Sequence, residues 1–256
     1  MDIHIKSLDS LITSQTKKSD LIGLYLPPDA NTLITTFDHC IKTKHKINVI
    51  VSSKHPRQQW ITMDEAIKHC KKGIGIWNFA SNDQNDDPDI ILACCGDTPT
   101  LEALAATTLI NEYLPEIKIR FINVVDLLKL QNNSINKNGL TDEDFNLLFT
   151  KDKPIIFIYH GYPQVIKNFL FERENKNIVI KGYQEEGSIT TPFDMRVQNK
   201  IDRFNITKDI IKKLPQIGNK GAHIINLMDD KLIEHKEYIK EYGIDMEEIR
   251  NWTWKK

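Results

Sequence analysis

The apolar run IILACC at residues 90–95 limits the fold of this chain more than any other stretch. A strand without polar side chains has to be covered on both of its faces, because either face would otherwise meet water. Strands of this kind belong to parallel sheets that carry helices on both sides. The run therefore predicts an α/β fold.

Strand-like and helix-like segments alternate along the chain, as a parallel sheet with helical crossovers requires. The predicted strands cover residues 20–27, 47–53, 89–95, 117–126, 154–160 and 177–183. The predicted helices cover residues 29–42, 62–73, 98–114 and 141–149, a helix that begins near Pro192, and most of residues 207–242.

Cap residues locate several of the helix ends. Thr62 and Glu65 form the spacing of a capping box, and Gly73 is a typical stop. Thr98 is the predicted N-cap of the next helix, with a proline at its first position. The polar, acidic stretch 80–89 predicts a surface connection that separates the last part of one α/β layer from a complete second one.

Composition narrows the classes of function. Lys and Arg (34) nearly balance Asp and Glu (35), for a formal net charge of −1, which argues against a nucleic-acid surface. No apolar run approaches the roughly 20 residues that span a bilayer, and the start, MDIHIKSLDSLI, lacks the pattern of a signal peptide. Cys94 and Cys95 lie in an apolar run and are expected to be buried and reduced. We expect a cytoplasmic protein with no nucleic-acid or membrane partner.

Two candidate anion sites follow predicted strands, at the ends where open α/β sheets form their sites. Lys54, His55 and Arg57 offer cationic donors suited to a phosphate, and a solvated loop is the alternative. Gly96 and the helix after it offer free backbone N–H groups, and simple helix capping is the alternative. No dinucleotide-binding or P-loop motif is present at either place.

Two further candidates lie later in the chain. His160 ends a strand beside Tyr162 and is either a general base or a structural hydrogen-bonding residue, with no nucleophile elbow nearby. Glu185 and Glu186 are adjacent on an extended chain, so their carboxylates point apart and do not form an acid–base pair by spacing. A turn before Pro192 explains much of that segment. Spacing alone therefore identifies no reaction.

Several longer segments, taken in order, resemble one enzyme family. The segments are YLPPDANTLI, SSKHPRQQW, GIGIW, ILACCGDTPTLEALAA, IKIRFINVVDLLKLQ, GLTDEDFNLLFT, DKPIIFIYHGYP, GYQEEGSITTPFDMRVQNKIDRF and EEIRNWTW. From about Ser19 to its end, the chain resembles the C-terminal portion of xylulose 5-phosphate/fructose 6-phosphate phosphoketolase, a transketolase-like thiamine diphosphate enzyme.

The resemblance implies a division of the chain. Residues 61–256 are expected to form the phosphoketolase C-terminal domain, a transketolase C-terminal-domain-like three-layer sandwich with a mostly parallel sheet. Residues 1–60 are expected to be the partial end of a pyrimidine-binding α/β domain. A sheet that is incomplete in this way would leave backbone groups and apolar surface uncovered.

The resemblance also implies a reaction. Phosphoketolases are aldehyde-lyases that cleave a ketose phosphate with inorganic phosphate, giving acetyl phosphate and a shorter aldose phosphate. The lysine in the loop that matches SSKHP binds the sugar phosphate in that family, and Lys54 occupies its position here. For His55 and Arg57 the resemblance implies nothing.

Departures from the family pattern limit what this chain is expected to do alone. The thiamine-binding G-D-G motif with its asparagine, the catalytic histidines, the activating glutamate and the HQDPG block are missing, and Gly96-Asp97-Thr98 is not that motif. Thiamine diphosphate and Mg are therefore expected only in the complete enzyme, and this chain is expected to hold no cofactor, metal or catalytic residue.

Partners follow from the same departures. We expect a chain that carries the missing N-terminal phosphoketolase domains, a ketose phosphate in the assembled enzyme, and a dimer or higher oligomer. The alternative is a non-catalytic anion-binding or subunit-association protein derived from the C-terminal domain.

Overall fold

The computed structural model describes residues 21–54, 56–84, 87–184 and 189–255. Its strands belong to two sheets, one of two strands and one of five. In chain order the strands are β1 (Ile22–Tyr25), β2 (Ile47–Ile50), β3 (Ile74–Ile76), β4 (Ile90–Cys95), β5 (Ile119–Val124), β6 (Ile155–Tyr159) and β7 (Ile178–Gly182).

Helices alternate with these strands and then follow one another in the C-terminal part. They are α1 (Ala30–Lys42), α2 (Met63–Lys72), α3 (Asp97–Tyr113), α4 (Asp142–Phe149), α5 (Pro163–Leu170), α6 (Pro192–Gln198), α7 (Arg203–Lys212), α8 (Gly218–Tyr242) and α9 (Glu247–Arg250). No helix in the described ranges is both long and apolar enough to cross a bilayer.

The larger sheet has the strand order β3-β5-β4-β6-β7, with β3 antiparallel and the other pairs parallel. Side chains alternate across β4, as the pleat requires. Leu92 and Cys94 face a core that contains α3 and α7, whereas Ala93 and Cys95 face a core that contains α4 and α5. Both cysteines are buried and free. The predicted three-layer α/β fold with a mostly parallel sheet is confirmed.

The smaller sheet pairs β1 with β2 in parallel. It meets the larger unit where the backbone N–H of Leu26 donates to the carbonyl of Val125 (2.8 Å). On α1, the apolar residues Ile34, Phe37 and Ile41 are 56%, 56% and 63% exposed. In the described part of the chain, α1 therefore presents an uncovered apolar face.

Most predicted cap residues are confirmed. The capping box of Thr62 and Glu65 begins α2, and Gly73 ends it in the left-handed conformation with φ 77°. The helices predicted at 141–149 and near Pro192 also begin as expected, with Thr141 as the N-cap of α4 and Thr191 as the N-cap of α6.

The predicted N-cap Thr98 is wrong. The helix begins one residue earlier, at Asp97, because Gly96 adopts φ 101° and turns the chain into the helix directly. Pro99 is then the third helical residue, where its missing N–H still costs no intrahelical hydrogen bond. Thr98 instead accepts a hydrogen bond from Arg57.

The stretch 80–89 is also more than a surface connection. Asp83 is buried and its carboxylate accepts a hydrogen bond from Nε of Arg120 at 2.7 Å. Strand β3 precedes this stretch and pairs with β5, so the described residues of 80–89 lie within the larger unit and not between two layers. Neither β3 nor α5 was predicted from the sequence.

Candidate functional site

The carboxyl ends of β4 and β6 meet at the point where the chain changes direction across the sheet. After β4 it passes through α3 to β5 on one side, and then returns to β6 on the other side. Ligand-binding crevices in open α/β sheets form at such switch points. Gly96 and Asp97 follow β4, and His160 follows β6, so two of the predicted candidate places become neighbours here.

Gly96 makes this close approach possible. A Cβ atom on Gly96 would lie 2.6 Å from Cβ of His160, and its φ of 101° is a conformation that other residues rarely adopt. Oγ1 of Thr100, in the first turn of α3, donates to the Gly96 carbonyl at 2.6 Å and stabilises the turn. The turn therefore directs the side chain of Asp97 toward His160.

Asp97 connects three segments of the chain. Its Oδ1 lies 3.1 Å from Nδ1 of His160, and its Oδ2 accepts a hydrogen bond from Nε of Arg57 at 2.5 Å. Nη2 of Arg57 also donates to Oγ1 of Thr98 at 3.2 Å. The Asp97 side chain is 6% exposed, and that of Arg57 is 26% exposed. The sheet ends and the loop after β2 are thus joined by a largely buried carboxylate.

The electrostatics of this cluster favour a fixed negative charge. Burial by itself would raise the pKa of Asp97, but the hydrogen bond and charge of His160 and the guanidinium of Arg57 hold that pKa well below its usual range. The carboxylate is ionised at neutral pH, with one oxygen bound by the guanidinium of Arg57 and the other next to Nδ1 of His160. This arrangement suits a structural junction better than acid–base catalysis.

Arg57 was predicted as a donor to a bound anion, but its guanidinium binds Asp97 and Thr98 of the same chain. Lys54 differs from Arg57 in its contacts. Lys54 follows β2, is exposed, and has no ion-pair or hydrogen-bond partner among the described residues. His55, Glu185 and Glu186 lie outside the described residues.

Asp29 holds the far end of the loop after β2, and sequence reasoning missed this role. Its Oδ1 accepts the N–H of Thr32 (2.9 Å) as the N-cap of α1. Its Oδ2 accepts hydrogen bonds from Nε2 of Gln59 (2.5 Å) and from the N–H groups of Trp60 (3.1 Å) and Ile61 (3.3 Å). The only signal in the sequence was the position of Asp29 at the start of a predicted helix.

A cavity of about 1050 Å³ lies beside Asp97, between the loop after β2 and the C-terminal helices. Arg57, Trp60 and Asp97 line one part of it, and Thr191 and Arg196 line another. The described end of the fourth predicted place, just before Pro192, therefore borders the same opening as Arg57 and Asp97 of the first two places.

Behind this cavity lies a buried ionic network that the sequence did not reveal. Oε1 of Glu102 accepts hydrogen bonds from Nη1 of Arg196 (2.7 Å) and Nη2 of Arg203 (3.1 Å). Its Oε2 accepts from the backbone N–H (2.8 Å) and Nε (3.0 Å) of Arg203. Glu102 is fully buried, and among the described residues these two arginines compensate its charge.

Gly96-Asp97-Thr98 does not fit a metal or a diphosphate cofactor, because both oxygens of Asp97 already have hydrogen-bond partners in Arg57 and His160. Across the described residues, no group of His, Cys, Asp and Glu side chains is arranged to hold a metal ion.

Comparison with known sequences gives consistent similarities. The model of the XFP C-terminal domain family matches residues 54–254. A probable phosphoketolase of Clostridium acetobutylicum is 58% identical over 238 residues, covering 93% of this chain and 30% of that protein. A probable phosphoketolase of Gloeobacter violaceus is 53% identical, again over 93% of this chain and 30% of the relative. The chain thus spans about 30% of the length of these curated relatives.

Comparison with solved structures supports the fold. Transketolase from Leishmania mexicana superposes with a TM-score of 0.58 at 9% identity, covering 85% of this chain and 28% of that chain. A split gene transketolase, solved as an inactive beta4 tetramer, superposes with a TM-score of 0.54 at 12% identity, over 75% of this chain and 58% of that one. At these identities the similarity concerns the fold alone.

Proposed function

The chain belongs to the XFP C-terminal domain family and corresponds to the C-terminal part of phosphoketolase, and from this premise we propose that it works as that part of an assembled phosphoketolase. The assembled enzyme is this chain together with the remaining phosphoketolase domains, supplied by a partner chain. The identity of 58% over 93% of this chain to a probable phosphoketolase carries the proposal.

The proposed reaction cleaves xylulose 5-phosphate or fructose 6-phosphate with inorganic phosphate. The products are acetyl phosphate, an aldose phosphate and water. Thiamine diphosphate with Mg would supply the carbanion chemistry and would be held by the remaining domains, because the thiamine-binding G-D-G motif with its asparagine is missing from this sequence. This chain alone is expected to be inactive, and the assembled enzyme is an aldehyde-lyase.

Lys54 is the proposed contribution of this chain to substrate binding. The substrate carries a phosphate dianion, and an ammonium group at a strand end is a common partner for such an anion. The exposure of Lys54, without a described partner, supports this role. Arg57 is not proposed as a second ligand of the substrate phosphate, because its guanidinium binds Asp97 and Thr98.

The proposed partner covers the N-terminal part of the chain, residues 1–60. The smaller sheet has only two strands in the described residues, and strands normally need further pairing or cover to be stable. The exposed residues Ile34, Phe37 and Ile41 form one face of α1, and Ile47 on β2 is 63% exposed. An apolar surface of this kind beside an open sheet supports contact with another domain.

Replacing Phe37 with glutamate is expected to weaken the association with the partner chain at least tenfold. A charge placed in an apolar contact has to be desolvated without a compensating partner. The fold of this chain should change little, because Phe37 is 56% exposed. The measurement is binding of this chain to the preceding domains of a curated relative, with thermal unfolding of the variant as a check on folding.

Phe171→Glu is the matched control, since Phe171 is an equally large apolar side chain, 74% exposed, in the larger unit. It should bind the partner like the wild type. Equal binding by Phe37→Glu and the wild type would exclude the α1 face as the contact. A chain that binds no phosphoketolase domains at all would favour the alternative of a non-catalytic protein.

A further inference from the structure

We propose that Asp97 and His160 position Lys54, acting through Arg57. Lys54 lies on the loop that joins β2 to Trp60, here called the Lys54 loop (residues 51–59). The inference rests on the proposed function for the substrate role of Lys54. It assigns positioning roles to residues whose side chains need not touch the substrate.

Arg57 is the link between the Lys54 loop and the larger sheet. It lies three positions after Lys54, and its guanidinium makes two contacts to the start of α3, one with Oδ2 of Asp97 and one with Oγ1 of Thr98. A guanidinium held at two points fixes direction as well as distance. The contact is largely buried, so solvent screens it less than a surface ion pair.

His160 holds Asp97 in the orientation that Arg57 needs. Nδ1 of His160 is 3.1 Å from Oδ1 of Asp97, so rotation of the carboxylate away from Arg57 would break both contacts. The histidine is itself fixed, because its backbone N–H donates to the carbonyl of Cys95 at 3.1 Å and its ring packs edge-on against Tyr183. Residues that follow the ends of β4 and β6 therefore fix the orientation of Arg57.

Other contacts hold the two ends of the Lys54 loop. The backbone N–H of Val51 donates to the carbonyl of Tyr25 at 2.9 Å, and Nε2 of Gln59 donates to Asp29. Gln58 adds a hydrogen bond to the carbonyl of Trp252. Loss of the Arg57 contact should therefore loosen the segment around Lys54 without detaching the whole loop.

Hydrogen exchange of this full chain tests the positioning role without the partner. Asp97→Asn and His160→Phe should raise the exchange rate of amides in the Lys54 loop roughly tenfold or more, as expected when a charge-assisted hydrogen bond is lost. His160→Asn should stay near the wild-type rate, because its side-chain amide can donate to Oδ1 of Asp97. Unchanged exchange in β4 and β6 would show that the fold is intact, and unchanged loop exchange in both disruptive variants would overturn the inference.

Kinetics of the assembled enzyme test the consequence for substrate. Asp97→Asn and His160→Phe should raise the KM for xylulose 5-phosphate severalfold and leave kcat within about twofold, and His160→Asn should restore the KM. A wild-type KM in the disruptive variants, while Lys54→Ala raises it, would overturn positioning. A wild-type KM in Lys54→Ala would instead overturn the substrate role of Lys54, so the two failures are distinguishable.

Discussion

Glu102→Gln is expected to destabilise the folded chain by about 3–5 kcal/mol, the usual cost of removing one partner from a buried ion pair. The substitution preserves shape and removes the charge that compensates Arg196 and Arg203, both largely buried. The free energy of unfolding from denaturant titration at pH 7 measures the effect. Glu116→Gln is the control, because Glu116 forms an exposed pair with Lys220, and an exposed pair contributes little to stability.

The same variant should change the pH dependence of stability. Burial would raise the pKa of Glu102, but Arg203 and Arg196 lower it from 4.5 to about 2. Because the pKa in the folded chain is lower than in the unfolded chain, the stabilisation is complete above pH 4.5 and is lost as the pH falls toward 2. The shift corresponds to about 3 kcal/mol. Glu102→Gln should lack this loss between pH 4.5 and 2, and an unchanged acid profile would contradict the assigned role of the network.

Lys54→Ala is expected to raise the KM of the assembled enzyme for xylulose 5-phosphate about 10- to 100-fold. A hydrogen bond to a charged group contributes about 1.5–3 kcal/mol, and each 1.4 kcal/mol corresponds to a factor of ten. Binding of thiamine diphosphate should remain close to that of the wild type, since the cofactor is assigned to the remaining domains. Steady-state kinetics and a cofactor titration measure the two quantities.

Lys44→Ala is the matched control for that variant. Lys44 is also an exposed lysine, but it lies in the connection that precedes β2, at the opposite end of the strand from Lys54. Its removal should leave the KM unchanged. Equal kinetics of Lys54→Ala and the wild type would remove Lys54 from the substrate site.

The fold could be predicted from the sequence because its signals are local. The apolar run that became β4 predicted a strand covered on both faces, and the capping box of Thr62 and Glu65 begins a helix where it was expected to. The error at Thr98 has a physical cause. A Thr-Pro pair is a good helix start. Here, however, Gly96 lies two residues before Thr98 with a positive φ, and the helix already begins at Asp97.

The candidate site was less accessible from the sequence. Arg57, Asp97 and His160 are separated by 40 and 63 positions along the chain, and no spacing rule relates residues so far apart. The carboxyl-end rule selected all three places, yet the contact of Asp97 with His160 depends on β4 lying next to β6, which strand-like patterns do not reveal. The role of Lys54 came from family resemblance and remains a proposal.

A chimeric enzyme tests the central claim most directly. In the full-length Clostridium acetobutylicum relative, the matching C-terminal segment would be replaced by this chain, and acetyl phosphate would be assayed with xylulose 5-phosphate, inorganic phosphate, thiamine diphosphate and Mg. We expect acetyl phosphate from the chimera, loss of most of that activity at low substrate in its Lys54→Ala variant, and none from this chain alone. A folded chimera that binds thiamine diphosphate but forms no acetyl phosphate would contradict that claim.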